Sequence, residues 1–340
     1  MFKLEYLIIL LLATIFLTLF VKNKSKIGHF FHVLDVPVEG KIHKRTTPLI
    51  GSFPILILSL VIIIYFGFTI KNYDLAFIVI YSYIFFIIGY LDDRYGLNAY
   101  LKLSISAIII FIATNSFEFL VINKIYIKSI DKIILLNDIK FFFTILCVLL
   151  LINALNLMDG INGLASGFAS MWMLSLSLIT NNEQIFGLLF ILSIFTIINT
   201  FQIIKGNYFL GDSGTLFLGC LIGLFTLYIY NNNLEADNLI EIEKIFIFFM
   251  IPGLDMFRLF LTRLTKKKDP FSRDLDHLHH LMLNSFTLYK TLSIYFSIFL
   301  ITNLLSYFNV VNALLIIFTY LIIYVLFIFF AKKKFNQTPE

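Results

Sequence analysis

Several polar clusters interrupt an otherwise apolar chain, at spacings that suit phosphate and divalent-cation chemistry. The stretch GYLDDRYGLN sets Asp92 and Asp93 side by side after an apolar run that opens at Leu75. Two such charges repel and raise one pKa unless a Mg²⁺ or an ammonium lies beside them. In NALNLMDGINGL, Asn153, Asn156 and Asp159 recur every third residue, which on a helix aligns them in one stripe. That stripe is costly toward lipid and predicts a polar cavity. Gly160 and Gly163 then allow a tight turn and a close backbone approach by a ligand. FLGDSGT puts Asp212 at a helix start, where backbone N–H groups attract phosphate and a carboxylate holds Mg²⁺ against phosphate oxygens.

Two further clusters follow. IPGLDMFRLF spaces Asp255 and Arg258 three apart on one helical face behind Pro252, so they either neutralise each other or serve a site. SRDLDHLHHLM brings His277, His279 and His280 within four residues. A helical face does not present all three together, and the chain has few thiols or further histidines to complete a Zn²⁺ shell. Anion binding is the better reading: with Arg263, Lys266, Lys267, Lys268 and Arg273 the cluster looks like a receptor for diphosphate. The loop holding Lys41, His43, Lys44 and Arg45 is explained mostly by topology and leaves room for substrate contact.

These residues must be carried by membrane spans. The chain is 340 residues long, 59% hydrophobic and 14% charged, which excludes a soluble domain with a polar surface. At roughly 20 apolar residues per span, the fold class is an all-α polytopic membrane protein of about eleven transmembrane helices, ten at the lowest count. They run near residues 4–21, 49–70, 74–91, 101–117, 140–157, 164–181, 185–204, 214–230, 245–262, 291–307 and 313–331. The first lacks a small-residue cleavage site and reads as a retained helix. Residues 117–138 are too charged to span and partly alternate, predicting a small extracytoplasmic β-hairpin. Cys147 and Cys220 fall inside spans and suggest neither disulfide nor zinc site.

Of the 26 Lys and Arg, nineteen fall on one side of the membrane by alternate counting and seven on the other. The richer side is cytoplasmic, so the N-terminus is outside and the C-terminus inside. The net charge of +5 reports this topology and gives no reason to invoke nucleic acid. No linker or internal repeat divides residues 1–340, so a single membrane domain is expected, without the duplicated halves of many transporters. Parity puts all five polar loops on the cytoplasmic face. Asp for a cation, Asn and Gly for a ligand, and His, Arg and Lys for phosphates together describe phosphoryl chemistry at a membrane surface.

LDDRYGL, NALNLMDGINGLASG, FLGDSGT and DPFSRDLDHLHHLM, in this order and spacing, resemble the polyprenyl-phosphate N-acetylhexosamine-1-phosphate transferases (the MraY/WecA superfamily, bacterial glycosyltransferase family 4). The resemblance spans about residues 35–280. HLHH and its DPFSRD lead resemble the undecaprenyl-phosphate N-acetylglucosamine-1-phosphate transferase branch. The pentapeptide-type branch usually has a HHHFE-like stretch, which is absent here.

The resemblance implies that undecaprenyl phosphate attacks the β-phosphorus of a UDP-N-acetylhexosamine, giving a lipid diphosphate sugar and UMP at the cytoplasmic face of a bacterial inner membrane. It implies Mg²⁺, with Mn²⁺ as the alternative ion. By the same resemblance Asp212 is the metal ligand, and Asp92 and Asp93 position or deprotonate the lipid phosphate. Asp159 is a further catalytic Asp, and Phe209 stacks on uracil. Substrate contacts extend to Asn153, Asn156, Asn162, Lys44, Arg45, Arg263, His277, His279 and His280. Membrane lipids are the surroundings, and a homodimer is compatible with the pattern. Three positions depart from the family: Asn162 stands where many relatives have Asp, Gln202 where Asn is common, and Ser52 for the second Gly of PxxGG. The rivals are a pentapeptide-type transferase and, in another class, a secondary transporter using Asp255 and Arg258.

Overall fold

The computed structural model describes residues 4–37, 45–70, 73–235, 239–269 and 276–335. Lys41, His43, Lys44 and Arg273 therefore lie outside the described residues. The chain forms two compact units, Met1–Leu120 with Ile145–Ile229 and Val121–Thr144 with Tyr230–Glu340.

In the first unit come α1 (Leu4–Lys22), α2 (Lys24–Phe31), β1 (Leu34–Asp35), β2 (Thr47–Pro48), α3 (Phe53–Ile70), α4 (Tyr73–Tyr95) and α5 (Ala99–Ser116). The hairpin strands β3 (Lys124–Ile127) and β4 (Lys132–Leu135) belong to the second unit, and α6 (Lys140–Leu157) continues from it into the first. Then follow α7 (Leu164–Ile179), α8 (Glu183–Ile204) and α9 (Gly211–Glu235). The second unit is completed by α10 (Ile242–Thr265), α11 (Leu278–Leu283), α12 (Leu288–Tyr307) and α13 (Ala313–Phe335).

Each of the eleven expected apolar stretches is helical. Among the described residues nine helices are long and apolar enough to cross a membrane, and α7 and the described apolar part of α3, Phe53–Tyr65, are shorter. α3 starts later than the apolar run suggests because Thr47 and Pro48 pair in register with Asp35 and Leu34. The hairpin is where the alternation put it: Lys124 faces Leu135 and Ile127 faces Lys132 in an antiparallel ladder. Its turn is tied to the first turn of α10, where the Glu243 carboxylate accepts the Ser129 N–H at 2.9 Å and the Ser129 hydroxyl at 2.8 Å.

Two features of the first unit set up its polar cluster. The apolar window of α9 is wholly buried, and α4 crosses its N-terminal end at Gly89, where a Cβ would stand 2.3 Å from the Asp212 carbonyl oxygen. No side chain fits there, so the next turn of α4, bearing Asp92 and Asp93, is pressed onto the start of α9. α4 then stops at Gly96, whose φ of 67° is left-handed and whose N–H bonds the Asp92 carbonyl at 2.8 Å. Asn98 caps α5 by accepting the Tyr100 N–H at 2.8 Å. This short turn brings the first turn of α5 back alongside the acids.

Candidate active site

At the start of α9 the backbone donors are already taken. Asp93 accepts the N–H groups of Asp212 and Ser213 at 2.8 and 2.9 Å, and the Gly211 N–H lies toward the Asp159 carboxyl, favouring its charged form. Gly211 sits at φ 76°, where a Cβ would meet an Asp93 oxygen at 2.7 Å. The N-terminal donors that the sequence pattern offered to phosphate thus hold the Asp93 carboxylate and face that of Asp159. Ser52, in the turn before α3, adds a hydroxyl contact of 3.0 Å to the Ser213 hydroxyl, so its departure from glycine serves the same helix end.

Asp92 and Asp212 lie side by side, and the ammonium of Lys102 joins them, 2.5 Å from Asp92 Oδ2 and 2.8 Å from Asp212 Oδ2. The other Asp92 oxygen accepts the Leu97 N–H at 2.7 Å. The other Asp212 oxygen accepts Asn156 Nδ2 at 2.9 Å, and the same amide reaches the Thr215 hydroxyl at 2.8 Å. Sequence reading anticipated a cation beside the Asp pair but missed Lys102. A lysine near the end of an apolar stretch reads as topology. The overlooked signal was its place in the first turn of α5, directly after the acids.

The stripe of Asn153, Asn156 and Asp159 does not form as one face. α6 ends at Leu157, so Asp159 falls in the turn beyond it, and Asn153 bends back to donate to the Leu149 carbonyl at 2.8 Å. Only Asn156 points its amide at Asp212. Asp159 is half-buried, and its carboxyl is pushed well above the usual range by burial and then by the charges of Asp212 and Asp93. Gly163 takes the turn that the glycines predicted, at φ 86°. Asn162 is half-buried in that turn. Phe209 is half-buried, its backbone clamped between the Pro48 carbonyl at 2.9 Å and the Gly51 N–H at 2.8 Å. Gln202 accepts from the Asn207 amide at 2.8 Å, and Asn207 in turn accepts from Lys24. Arg45 lies on the exposed chain before β2.

The second unit has its own cluster. Asp255 on α10 is buried and accepts Arg258 at 2.9 Å, the Tyr324 hydroxyl of α13 at 2.9 Å and His277 Nδ1 at 3.0 Å. All three histidines do meet, against the helical-face argument. His277 precedes α11 in an extended conformation (φ −60°, ψ 142°), so its ring stacks on His279 at 5.2 Å while His280 lies 4.3 Å from His279. Burial and the neighbouring histidines push His279 well below its usual pKa, which keeps it neutral. Arg263 is buried farther along α10.

Both clusters bear on a divalent ion. Asp255, His277 and His279 bring ligand atoms within 4.8 Å of one another, close enough to coordinate one divalent metal. The sequence argument against a metal there counted thiols and histidines and overlooked Asp255. By donor chemistry the set is less suited to Mg²⁺, which prefers oxygen ligands. The first unit instead offers carboxylates of Asp92 and Asp212 already drawn together on a cation, a hard-oxygen donor set that fits Mg²⁺.

Residues 75–230, just under half of the chain and including α6 and most of α4 and α9, match the family described as Glycosyl transferase family 4. The chain is 27% identical over 289 residues to the undecaprenyl-phosphate alpha-N-acetylglucosaminyl 1-phosphate transferase of Escherichia coli K12, covering 80% of this chain and 74% of that one. The enzymes of the same name from Salmonella typhi (26% over 297 residues; 83% and 76%) and Thermotoga maritima (26% over 273 residues; 80% of each) match similarly. A multi-pass membrane protein whose residues 75–230 match the glycosyl transferase family 4 pattern, the chain is similar over most of its length to these 1-phosphate transferases.

Proposed function

We propose that the protein transfers an N-acetylhexosamine 1-phosphate from a UDP-sugar to undecaprenyl phosphate, giving undecaprenyl-diphosphate sugar and UMP. The observation that carries this reading is the pair Asp92 and Asp212, bridged by Lys102 and oriented by Asn156, inside the family-matched segment. A phosphate monoester has a second pKa of about 6, so the lipid phosphate is mostly dianionic at neutral pH and needs no strong base. One of its oxygens attacks the β-phosphorus, and the bond to the UMP oxygen breaks. Mg²⁺ held at Asp212 with Asp92 beside it would offset charge on the diphosphate, with Mn²⁺ as substitute.

In this reading Asp92 and Lys102 orient the acceptor phosphate. Asp93 acts through the α9 terminus whose N–H groups it holds, with Asp159 facing the same terminus. Phe209, Asn153, Asn156 and Asn162 serve the nucleotide, and Lys44, Arg45, Arg263, His277, His279 and His280 the phosphates. The proposed topology has eleven spans, the N-terminus outside, and the site on the cytoplasmic face of a bacterial inner membrane, at the first membrane step of an envelope glycan such as O-antigen or teichoic acid.

The test is UMP release by purified protein given undecaprenyl phosphate and, in turn, UDP-GlcNAc, UDP-GalNAc and deoxy-aminosugar nucleotides. Mg²⁺-dependent release is expected with at least one, and Asp212→Ala is expected to abolish it. Retained activity in that variant removes the metal assignment. UMP release from UDP-sugar without lipid counts against direct attack.

A further inference from the structure

We propose that Asp255 is a positioning residue that acts through His277, fixing which nitrogen of that ring faces a phosphoryl oxygen. The inference rests on the transferase reading and deepens it. Asp255 accepts from His277 Nδ1 at 3.0 Å, which assigns the proton to Nδ1 when the ring is neutral and leaves Nε2 to meet a ligand. Four groups fix the carboxylate itself: Arg258 and Tyr324 at 2.9 Å on one oxygen, the Leu278 N–H at 3.3 Å from both, and His277 on the other. Tyr324 is in turn held by Arg258 Nε at 2.8 Å, and Arg258 also donates to the Asp276 carbonyl at 2.6 Å. α13, the last turns of α10 and the chain entering α11 thus converge on the one carboxylate that holds the imidazole.

A purely structural ion pair does not need this arrangement. Asp255 and Arg258 neutralise each other three residues apart on one helix, and apolar residues would pack there at no desolvation cost. The extra donors constrain direction, the property an oriented catalytic or binding ring requires. His279 stacks on His277 at an interplanar angle of 19°, and its buried Nε2 has no hydrogen-bond partner among the described residues. The stacked ring supports its neighbour by packing against its face. A metal ion at Asp255, His277 and His279 is the competing use of the same atoms. Against it, the Arg258 guanidinium already lies on the carboxylate that would bind the ion.

The experiment is a double-mutant cycle on the full-length protein, read as UMP release. Asp255→Asn and His277→Gln are each expected to lower kcat about 10–100-fold, while Asp255→Asn in the His277→Gln background costs no more than about twofold further. Tyr324→Phe, which removes one donor to Asp255, follows the same non-additivity with a smaller loss and keeps the cycle decisive if Asp255→Asn fails to fold. Losses that multiply in both cycles overturn the proposal. So does a stoichiometric metal in the purified wild type that His279→Ala loses. Inorganic pyrophosphate supplies a readout independent of turnover: it should raise the melting temperature of wild type but not of His277→Gln or Asp255→Asn. A wild type that binds pyrophosphate in this way yet releases no UMP from any UDP-sugar removes the transferase reading while leaving the pairing intact. Equal pyrophosphate shifts in all three proteins remove the pairing.

Discussion

Replacing Lys102 by Met tests whether the acids of the first unit are held together by its charge. Its ammonium is 2.5 Å from Asp92 and 2.8 Å from Asp212, and the three side chains are 16%, 6% and 29% exposed. With an effective dielectric of about 20 and charge centres roughly 3.5 Å apart, each attraction is about 5 kcal/mol before desolvation. Removing one partner of such a pair costs about 3–5 kcal/mol, because the other charge stays buried and unpaired. Lys102→Met leaves two carboxylates facing each other, with Asp93 and Asp159 nearby at the same helix end, so a loss in that range is expected. Adding Asp212→Asn removes one of the stranded charges and should recover about half of it. Mg²⁺ should shift the Lys102→Met unfolding midpoint further than that of wild type, since a site that has lost its ammonium binds a dication more tightly. The assay is thermal unfolding in detergent, followed by thiol labelling of fully buried Cys220 in a Cys147→Ala background. Equal losses in Lys102→Met and Lys102→Met/Asp212→Asn, with no added response to Mg²⁺, would refute the electrostatic account.

Gly89→Ala puts a methyl 2.3 Å from the Asp212 carbonyl, and separating α4 from α9 should cost about 1–3 kcal/mol and most of the UMP release; near-normal activity would mean the close approach is dispensable. His279 has a folded-state pKa held well below its usual value, so below about pH 6.5 the unfolded chain binds a proton that the folded one refuses. Stability therefore falls as pH drops from 7.5 to 5.5, and His279→Leu should flatten that slope in the detergent melt. Glu243→Gln weakens the carboxylate that holds the Ser129 N–H and hydroxyl. It should lower stability by about 1–3 kcal/mol and leave UMP release unchanged, since the hairpin carries none of the proposed site residues.

The spans were legible because in lipid every backbone group must bond within its own helix, so apolar length alone marks them. Where length misled, local pairing was the cause: residues 49–52 could extend α3 but are spent on the turn after β2, where the Leu49 N–H bonds the Val33 carbonyl and the Gly51 N–H the Phe209 carbonyl. The hairpin was legible because alternation over Lys124–Leu135 has no other stable use.

The acids were legible as a set, while their division of labour was not, and the reason is geometric. Motif spacing tells which residues share a helix face only while the helix lasts, and α6 stops two residues short of Asp159. Partners more than a hundred residues apart, such as Lys102 with Asp212 or Asp93 with the Ser213 N–H, follow from the Gly89 crossing, which no local period encodes. The same holds for Asp255. Three apart from Arg258, it reads as an ion pair that closes on itself, and only the fold shows that its second oxygen is given to His277. A buried charge whose partner along its own helix already neutralises it, yet which holds further donors from other segments, is costly to keep for stability alone. That excess of partners separates Asp255 from an ordinary intramembrane ion pair, and it makes non-additivity with His277, more than loss of activity by itself, the informative measurement.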